Sequence, residues 1–571
     1  MGIGAAVRQV GFDDAARFLG EGLAAGSLYG LLAEHGLRLF PDDYFADLFV
    51  ATARGRPTVP ARTVATVMLL QAFEGLSDRE ACDRLAFDLR WKAAAGLAVD
   101  AGSFHPTVLV GVRNRLRGSA RPRRLFEDVN VVARSAGLLR GRVRVLDSTP
   151  LLDAVATQDT VTALRAAIRR LLAGLDRAGM GALAGRVRAA LRRDDDYASV
   201  GKPPCDWDDP AARELLVDGL VRDALAAVAV LAGEVLPGPV AEAAELLGSV
   251  AGQDVEAGAD GVFRIARRVA PDRMLSTVDP QARHGHKSMA RRFDGYKAHL
   301  AVDPDDELIT EVAVTPANIP DRDVIDDLLP EPSAEPATGE PAAEEPATGE
   351  PAAGEPAAGE PAAAGRPAAP GEPAPESSGA ERPGPPLTVV GDSAYAAGAT
   401  LEALTGAGHQ VLAKVPPARN RHGLYPKDRF TVDLQAGTVT CPARRTAPIR
   451  PARRGGGRAV FGEACASCPL REACTRSRNG RIIAINRHER ALQAGKAAQR
   501  DPGWQQTYRA TRPTVERKIA HFTRRPWGGR NARCRGRNRI LTDALTRAGA
   551  INLARLAVLG LRTAPTGWAI A

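Results

Sequence analysis

The chain has 571 residues and a formal charge of +9, carried mostly by arginine, with a pI of about 9.4. That length has room for two to four domains with a sizeable core, and the charge suits a polyanion, whether nucleic acid or an anionic membrane surface. No apolar stretch is long enough to span a bilayer, "ALAAVAVLAGEVL" at 224–236 included, and the opening "MGIGAAVRQVGFDD" lacks a signal-peptide core. A cytoplasmic protein is expected, with no membrane partner.

Residues 1–135 read as a compact helical domain, with apolar residues at three-and-four spacing broken by Pro60 and Gly75. In "LSDREACDRLAFDLRW", Ser77 stands where a helix N-cap belongs, with acids in the first turn. Further on, Arg113, Arg115, Arg117, Arg121, Arg123 and Arg124 crowd one segment. Such a cluster suits a DNA-binding head with guanidinium groups on phosphates, or a solvated basic face.

"VRVLDSTP" then reads as a buried strand, over 142–147, that ends on Asp147. A helical insertion follows over about 155–255, with the amphipathic run "TVTALRAAIRRLLAGLDRAG". Asp153 and Asp159 are read as solvated or capping residues, and the role of Asp153 stays open. "KAHLAVD" and "LITEVAVTPAN" read as two strands around the turn "PDDE". Ahead of and within them, Lys287 and Lys297 are candidates for phosphate contact, or part of a general basic surface, while His299 is read as packing. These segments make up a core region over 136–330.

Residues 331–386 differ in kind: Glu-Pro opens a unit every five residues and large apolar side chains are almost absent, so a disordered acidic linker is expected. Core sequence resumes at 387–417, where "LTVVGD" repeats the earlier logic, a short apolar run ending in Asp392. Two such aspartates suggest one metal site built on a sheet. In a cysteine-rich insert over 418–490, Cys441 is followed by "CASCPLREAC", which carries Cys465, Cys468 and Cys474. This spacing has the ingredients of a structural four-cysteine zinc site, or of four reduced thiols. Cys82, Cys205 and Cys534 read as isolated thiols. The last segment, 491–571, contains a helix in which Glu516 stands among Arg512, Arg517, Lys518, Arg524 and Arg525. An acid so placed is an ion-pairing residue or a metal ligand.

Phosphodiester cleavage needs an activated oxygen nucleophile and a stabilised leaving oxygen, which two divalent cations on carboxylate ligands supply. The blocks "VLDSTPLLDAVATQDT", "DPQARHGHKSMARRFDGYKAHLAVD", "VTPANIPD", "VVGDSAY", "RPTVERKIAHF" and "RCRGRNR" together resemble the DDE transposases of bacterial insertion sequences. Within that family the chain resembles a branch that carries cysteine-bearing inserts. Arg512, three residues, then Glu516 matches the arginine–glutamate part of that family's signature. Its tyrosine would stand one residue nearer than Tyr508, and its lysine is replaced by the Arg524–Arg525 region.

The resemblance implies an α/β RNase H-like catalytic core with a helical N-terminal domain, a helical insertion and a small Cys-rich insert. It implies that Asp147, Asp392 and Glu516 hold two Mg²⁺ ions, or Mn²⁺, for DNA cleavage at element ends and strand transfer. The DNA partners would be terminal inverted repeats and target DNA, bound by a homo-oligomer at the bacterial nucleoid. Arg113, Arg115, Arg117, Arg121, Lys287, Lys297, Arg512, Arg517, Arg524 and Arg525 are the candidate DNA contacts. A domesticated or inactive DNA-binding derivative and a standalone nuclease of the same fold are the alternatives.

Overall fold

The structure is a computed structural model and describes residues 13–49, 59–153, 155–268, 270, 272–288, 291–329, 386–420, 422–524 and 528–571. The acidic repeat therefore lies outside the described residues, as does Arg525.

Among the described residues seven α-helices come first: α1 (Ala15–Leu19), α2 (Leu28–Leu39), α3 (Ala61–Glu74), α4 (Asp78–Phe87), α5 (Leu89–Ala95), α6 (Thr107–Arg117) and α7 (Arg124–Ser135). The entry to α4 follows the expected chemistry. Ser77 Oγ accepts from the Glu80 amide at 3.3 Å, and Glu80 Oε2 accepts from the Ser77 amide at 2.7 Å, a reciprocal capping box. Leu32, Leu69, Leu70 and Trp91 are buried at the centre of this head.

Strand β1 (Val143–Leu152) leads into the insertion helices α8 (Thr160–Arg177), α9 (Gly181–Ala190), α10 (Pro210–Leu231) and α11 (Gly238–Gln253). These share their own apolar core around Leu164, Ile168, Leu220 and Leu247. Asp159 caps α8, accepting from the Thr162 amide at 2.9 Å. Asp153 accepts from the Val155 amide at 3.2 Å, as a turn residue does.

A short pair, β2 (Val255–Ala257) and β3 (Phe263–Ile265), closes the insertion, and then β4 (Arg283–Ser288), β5 (Arg291–Asp303) and β6 (Leu308–Pro316) join the main sheet. The expected "PDDE" turn connects β5 to β6, with Asp303 accepting from the amides of Asp305 and Asp306 at 3.0 and 3.2 Å. After the small helix α12 (Ile325–Leu328) come β7 (Thr388–Gly391), α13 (Gly398–Gly406) and β8 (Gln410–Ala413). The main sheet runs β4-β5-β1-β7-β8, with β6 on β5 as well; β5 is antiparallel to β1 and β6, while β1, β7 and β8 are mutually parallel. Val145, Leu146, Leu300, Ala301 and Val302 are fully buried, so the centre of the sheet is covered on both faces.

The insert folds as a second, antiparallel sheet of β9 (Thr431–Asp433), β10 (Thr438–Thr440), β11 (Thr446–Pro451), β12 (Gly457–Val460) and β13 (Ile482–Ile485), with α14 (Arg471–Cys474) between the last two strands. Helices α15 (Glu489–Ala498), α16 (Pro502–Phe522) and α17 (Arg537–Val558) follow, and β14 (Leu561–Ala564) and β15 (Gly567–Ile570) end the chain as a hairpin. Buried along most of its length, α17 joins the head to the sheet. Asn552 Nδ2 donates to Asn130 Oδ1 and to the Ile309 carbonyl, both at 2.8 Å, and its Oδ1 accepts from the Ile309 amide at 2.9 Å. One fully buried amide thus ties α17 to α7 and to β6.

Candidate active site

The apolar run Val143–Leu146 continues as strand well past Asp147, contrary to the expectation that it ends there. Ladder bonds to β5 carry it to Leu152, whose amide donates to the Arg530 carbonyl at 2.6 Å. The parallel partner, however, ends earlier: β1 pairs with β7 only from Val143↔Thr388 to Val145↔Val390. Two residues beyond that last pair stand Asp147 on one strand and Asp392 on the other. From Asp147 to Leu151 β1 pairs on one side only among the described residues, which is why Pro150 is tolerated in it.

Asp147 Oδ1 accepts from the Ser148 amide at 2.8 Å. Asp392 begins a short turn, accepting from the Ala394 amide at 2.8 Å. Burial pushes the Asp392 carboxyl up, and the nearby charges of Asp147 and Asp321 add to the rise, against the pull of the Ala394 amide and Arg512.

Facing them lies α16, begun by Asp501 and Pro502 in the cap and first-turn positions. Tyr508, Arg512 and Glu516 recur every four residues and so share one helix face. One guanidinium nitrogen of Arg512 lies 2.7 Å from Asp147 Oδ2 and 3.9 Å from Glu516 Oε1. The other terminal nitrogen of Arg512 is buried without a hydrogen-bond partner. Tyr508 stacks on Trp504 at 5.0 Å between ring centroids, and the Lys414 ammonium lies 4.7 Å from the Tyr508 ring centre. Among the described residues no three His, Cys, Asp or Glu side chains stand as a ready metal-binding group; Arg512 occupies the space between the acids.

A fourth acid belongs to this neighbourhood, and sequence reasoning passed over it. Asp321, from "VTPANIPD", accepts from Lys297 Nζ at 2.7 Å and from Ser148 Oγ at 2.7 Å. Lys297 also donates to the Ile319 carbonyl at 2.8 Å, so it is spent on this buried network and not on the surface expected of a phosphate contact. His299, opposite Ser148 in the β1–β5 register, is fully buried and bonds Thr315 Oγ1 at 2.8 Å. Burial lowers its pKa to about 4, with Asp321 opposing the shift and Lys297 adding to it. It packs, as expected.

Most of the arginines expected on DNA have internal partners. Arg113 forms an ion pair with Asp78 at 2.5 Å and donates to Gln71 at 3.0 Å. Arg121 pairs with Asp128, Arg123 with Glu311, and the buried Arg124 with Asp47. Arg115 lies over the Phe49 ring at 4.8 Å, and Arg117 bonds Asn114. On α16, Arg517 pairs with Glu307 at 2.5 Å. Lys287 and Arg524 are exposed.

All seven cysteines are free thiols. Cys441, Cys465, Cys468 and Cys474 line one small cavity of about 20 Å³, closed by Phe430, Phe461 and Arg481. Burial raises the Cys474 thiol, and the other three sulfurs act on it as neighbouring charges. The Arg445 amide donates to Cys441 Sγ and the Arg481 amide to Cys465 Sγ, both at 3.4 Å. Cys82, Cys205 and Cys534 lie elsewhere.

Three stretches match known domains. Residues 37–115 match a Transposase domain (DUF772), and residues 266–334 and 440–557 each match a Transposase DDE domain. The first covers much of the helical head, the second contains Lys297 and Asp321, and the third contains the four clustered cysteines, Arg512 and Glu516. Asp147 and Asp392 fall outside all three. No curated protein and no solved structure matches the chain.

Proposed function

We propose, from the premise that this chain carries transposase DDE domains, that it is a bacterial insertion-sequence transposase with an RNase H-like core and the acid set Asp147, Asp392 and Glu516. Such domains belong to enzymes that cut and join DNA. The strand order β6-β5-β1-β7-β8, with β5 antiparallel to its neighbours, supports the core assignment. The observation that carries the site is the β1–β7 register, which sets Asp147 and Asp392 level at the end of their parallel pairing, with α16 presenting Arg512 and Glu516 to them.

The residues fit a cation. Two neighbouring carboxylates, one with its proton affinity raised by burial, are short of positive charge that a single guanidinium supplies only in part. Mg²⁺ or Mn²⁺ held by Asp147, Asp392 and Glu516 would activate the attacking oxygen and stabilise the leaving one. Ser148 and Asp321 brace the strand beneath Asp147. Arg512, released from Asp147, is placed to meet a phosphate oxygen, as guanidinium groups do in bidentate fashion. Hydrolysis at the element end and attack of the freed 3′-hydroxyl on target DNA are both in-line displacements at phosphorus, with no covalent bond to the protein.

The four clustered thiols are read as a structural zinc site. The shared lining of one cavity, and two backbone amides that donate to sulfur, suit thiolate ligands.

The test is incubation of the full chain with linear duplex carrying the element's ends and Mg²⁺. Cleaved and joined products, both lost in Asp147→Asn, Asp392→Asn and Glu516→Gln, support the assignment. Unchanged cleavage in Asp392→Asn overturns the acid set; cleavage without joining points to a nuclease; binding without either points to a decayed copy.

A further inference from the structure

The insert carries a basic hairpin that the acid site does not account for. In the β11–β12 pairing, Arg450 stands directly opposite Arg458. Both are exposed, as are Arg453 and Arg454 in the connecting turn. Like charges set opposite one another weaken a strand pair, so this arrangement works against the fold of the insert.

Some cations in and beside the insert are tied down by the fold. Lys427 pairs with Glu489 at 2.5 Å, Lys496 pairs with Asp428, and Arg471 and Arg481 donate to backbone carbonyls. Arg450, Arg453, Arg454 and Arg458 make no such contact among the described residues. The contrast with the head is as clear, since Arg113, Arg121, Arg123 and Arg124 are each matched by an acid. Among the described residues these four arginines have no acid partner.

Its scaffold is firm. Ala447, Ala459 and Ile483 bury the inner face of the sheet, which leaves Arg450, Arg458 and the Thr446 hydroxyl on the outer one. Gly456, at φ +72°, lets the turn pass against β13: a Cβ there would lie 2.4 Å from the Ile485 carbonyl oxygen. The turn also reaches the start of α13. Gly455 lines the same cleft as Ala397, Gly398 and Ala399, at the start of the helix that follows Asp392.

We propose that this hairpin clamps the phosphodiester backbone of duplex DNA, with Arg450, Arg453, Arg454 and Arg458 on phosphate oxygens. The ligand's identity rests on the transposase reading; the surface itself rests on the unmatched charge. Guanidinium groups bind phosphate bidentately and threonine hydroxyls add phosphate contacts, neither of which reads sequence.

The experiment measures binding of the full chain to two fluorescent duplexes, one bearing an element end and one unrelated, across a salt series. Replacing all four arginines with glutamine is expected to weaken both duplexes by roughly tenfold or more and to flatten the log–log salt slope by about two to four, near 0.9 per phosphate lost. Arg450→Lys with Arg458→Lys, made in the otherwise wild-type chain, is expected to keep most of the slope because the charge is retained. The thermal midpoint of the quadruple variant should match or exceed that of the wild type, because the opposed charges are gone; Arg453→Gln with Arg454→Gln, in the turn alone, provides a variant whose folding is not at issue. Wild-type binding with an unchanged slope in the folded variants overturns the clamp alone, and so does a loss confined to element-end DNA or competition by an acidic peptide with no effect on DNA. A wild-type chain that binds neither duplex overturns the transposase reading as well.

Discussion

Arg512 donates to Asp147 across 2.7 Å, a bond between residues 365 positions apart that fastens α16 to the middle of β1. The pair is 12% and 17% exposed, and the same guanidinium lies 3.9 Å from Glu516. The helix that carries Glu516, itself 63% exposed, therefore also brings a guanidinium to Asp147.

Removing that cation has a predicted signature. Arg512→Gln leaves Asp147 and Asp392 facing each other with less compensation, and should lower stability without divalent metal by about 1–3 kcal/mol, discounted from a fully buried pair for partial exposure. Mg²⁺ should then stabilise the variant more than the wild type, with its half-effect at lower concentration, because the competing positive charge is gone. Thermal shift titrations with MgCl₂ measure both. No metal response in either protein would count against the carboxylate site.

His299 should make stability depend on pH in a definite window. Its folded pKa is about 4 against an ordinary 6.5, so the folded chain keeps it neutral while the unfolded chain takes up a proton. Its contribution is intact above about 6.5 and is lost as pH falls toward 4, by at most about 3 kcal/mol at 1.36 per unit. Asp321 and Lys297 face it with opposite signs. Urea unfolding of wild type and His299→Gln at pH 7 and pH 4.5 should show a smaller pH-dependent loss in the variant; identical losses would count against a neutral buried histidine.

Asn552 should be costly to replace with leucine, although leucine is close in size and more apolar. The substitution strands the Ile309 amide and the Asn130 Oδ1 in the interior, each an unsatisfied group worth about 1–3 kcal/mol. A loss of several kcal/mol in chemical denaturation is expected, against less than about 1.5 for Leu553→Met in the same helix, where volume is kept.

Local chemistry was legible in the sequence wherever it stayed local. The N-cap at Ser77, the "PDDE" turn and the apolar runs before Asp147 and Asp392 each depend on neighbours a few residues away. Partners drawn from far along the chain were not legible. The extension of β1 beyond Asp147 depends on β5 and on Arg530–Ala532. The acids that neutralise the arginines of the head include Asp47 from an earlier loop and Glu311 from β6. Asp321 drew no reading of its own, because only the β1–β5 register brings Ser148 and Lys297 to it. Charge density can be counted in a sequence; the charge left unmatched emerges only from the fold.

The cysteine cluster yields a prediction independent of DNA. Purified under reducing conditions without chelator, the chain should carry close to one zinc per molecule by atomic emission. Cys468→Ser and Cys474→Ser should lose that metal and lower the thermal midpoint by several degrees, since metal binding and folding of the insert are then one equilibrium. Cys205→Ser, at a thiol outside the cluster, should change neither. Four thiols should resist a disulfide reagent until a strong chelator is added, because a metal-bound thiolate is not free to attack. Seven thiols reacting at once in the folded, metal-free protein would mean that Cys441, Cys465, Cys468 and Cys474 meet only as reduced side chains.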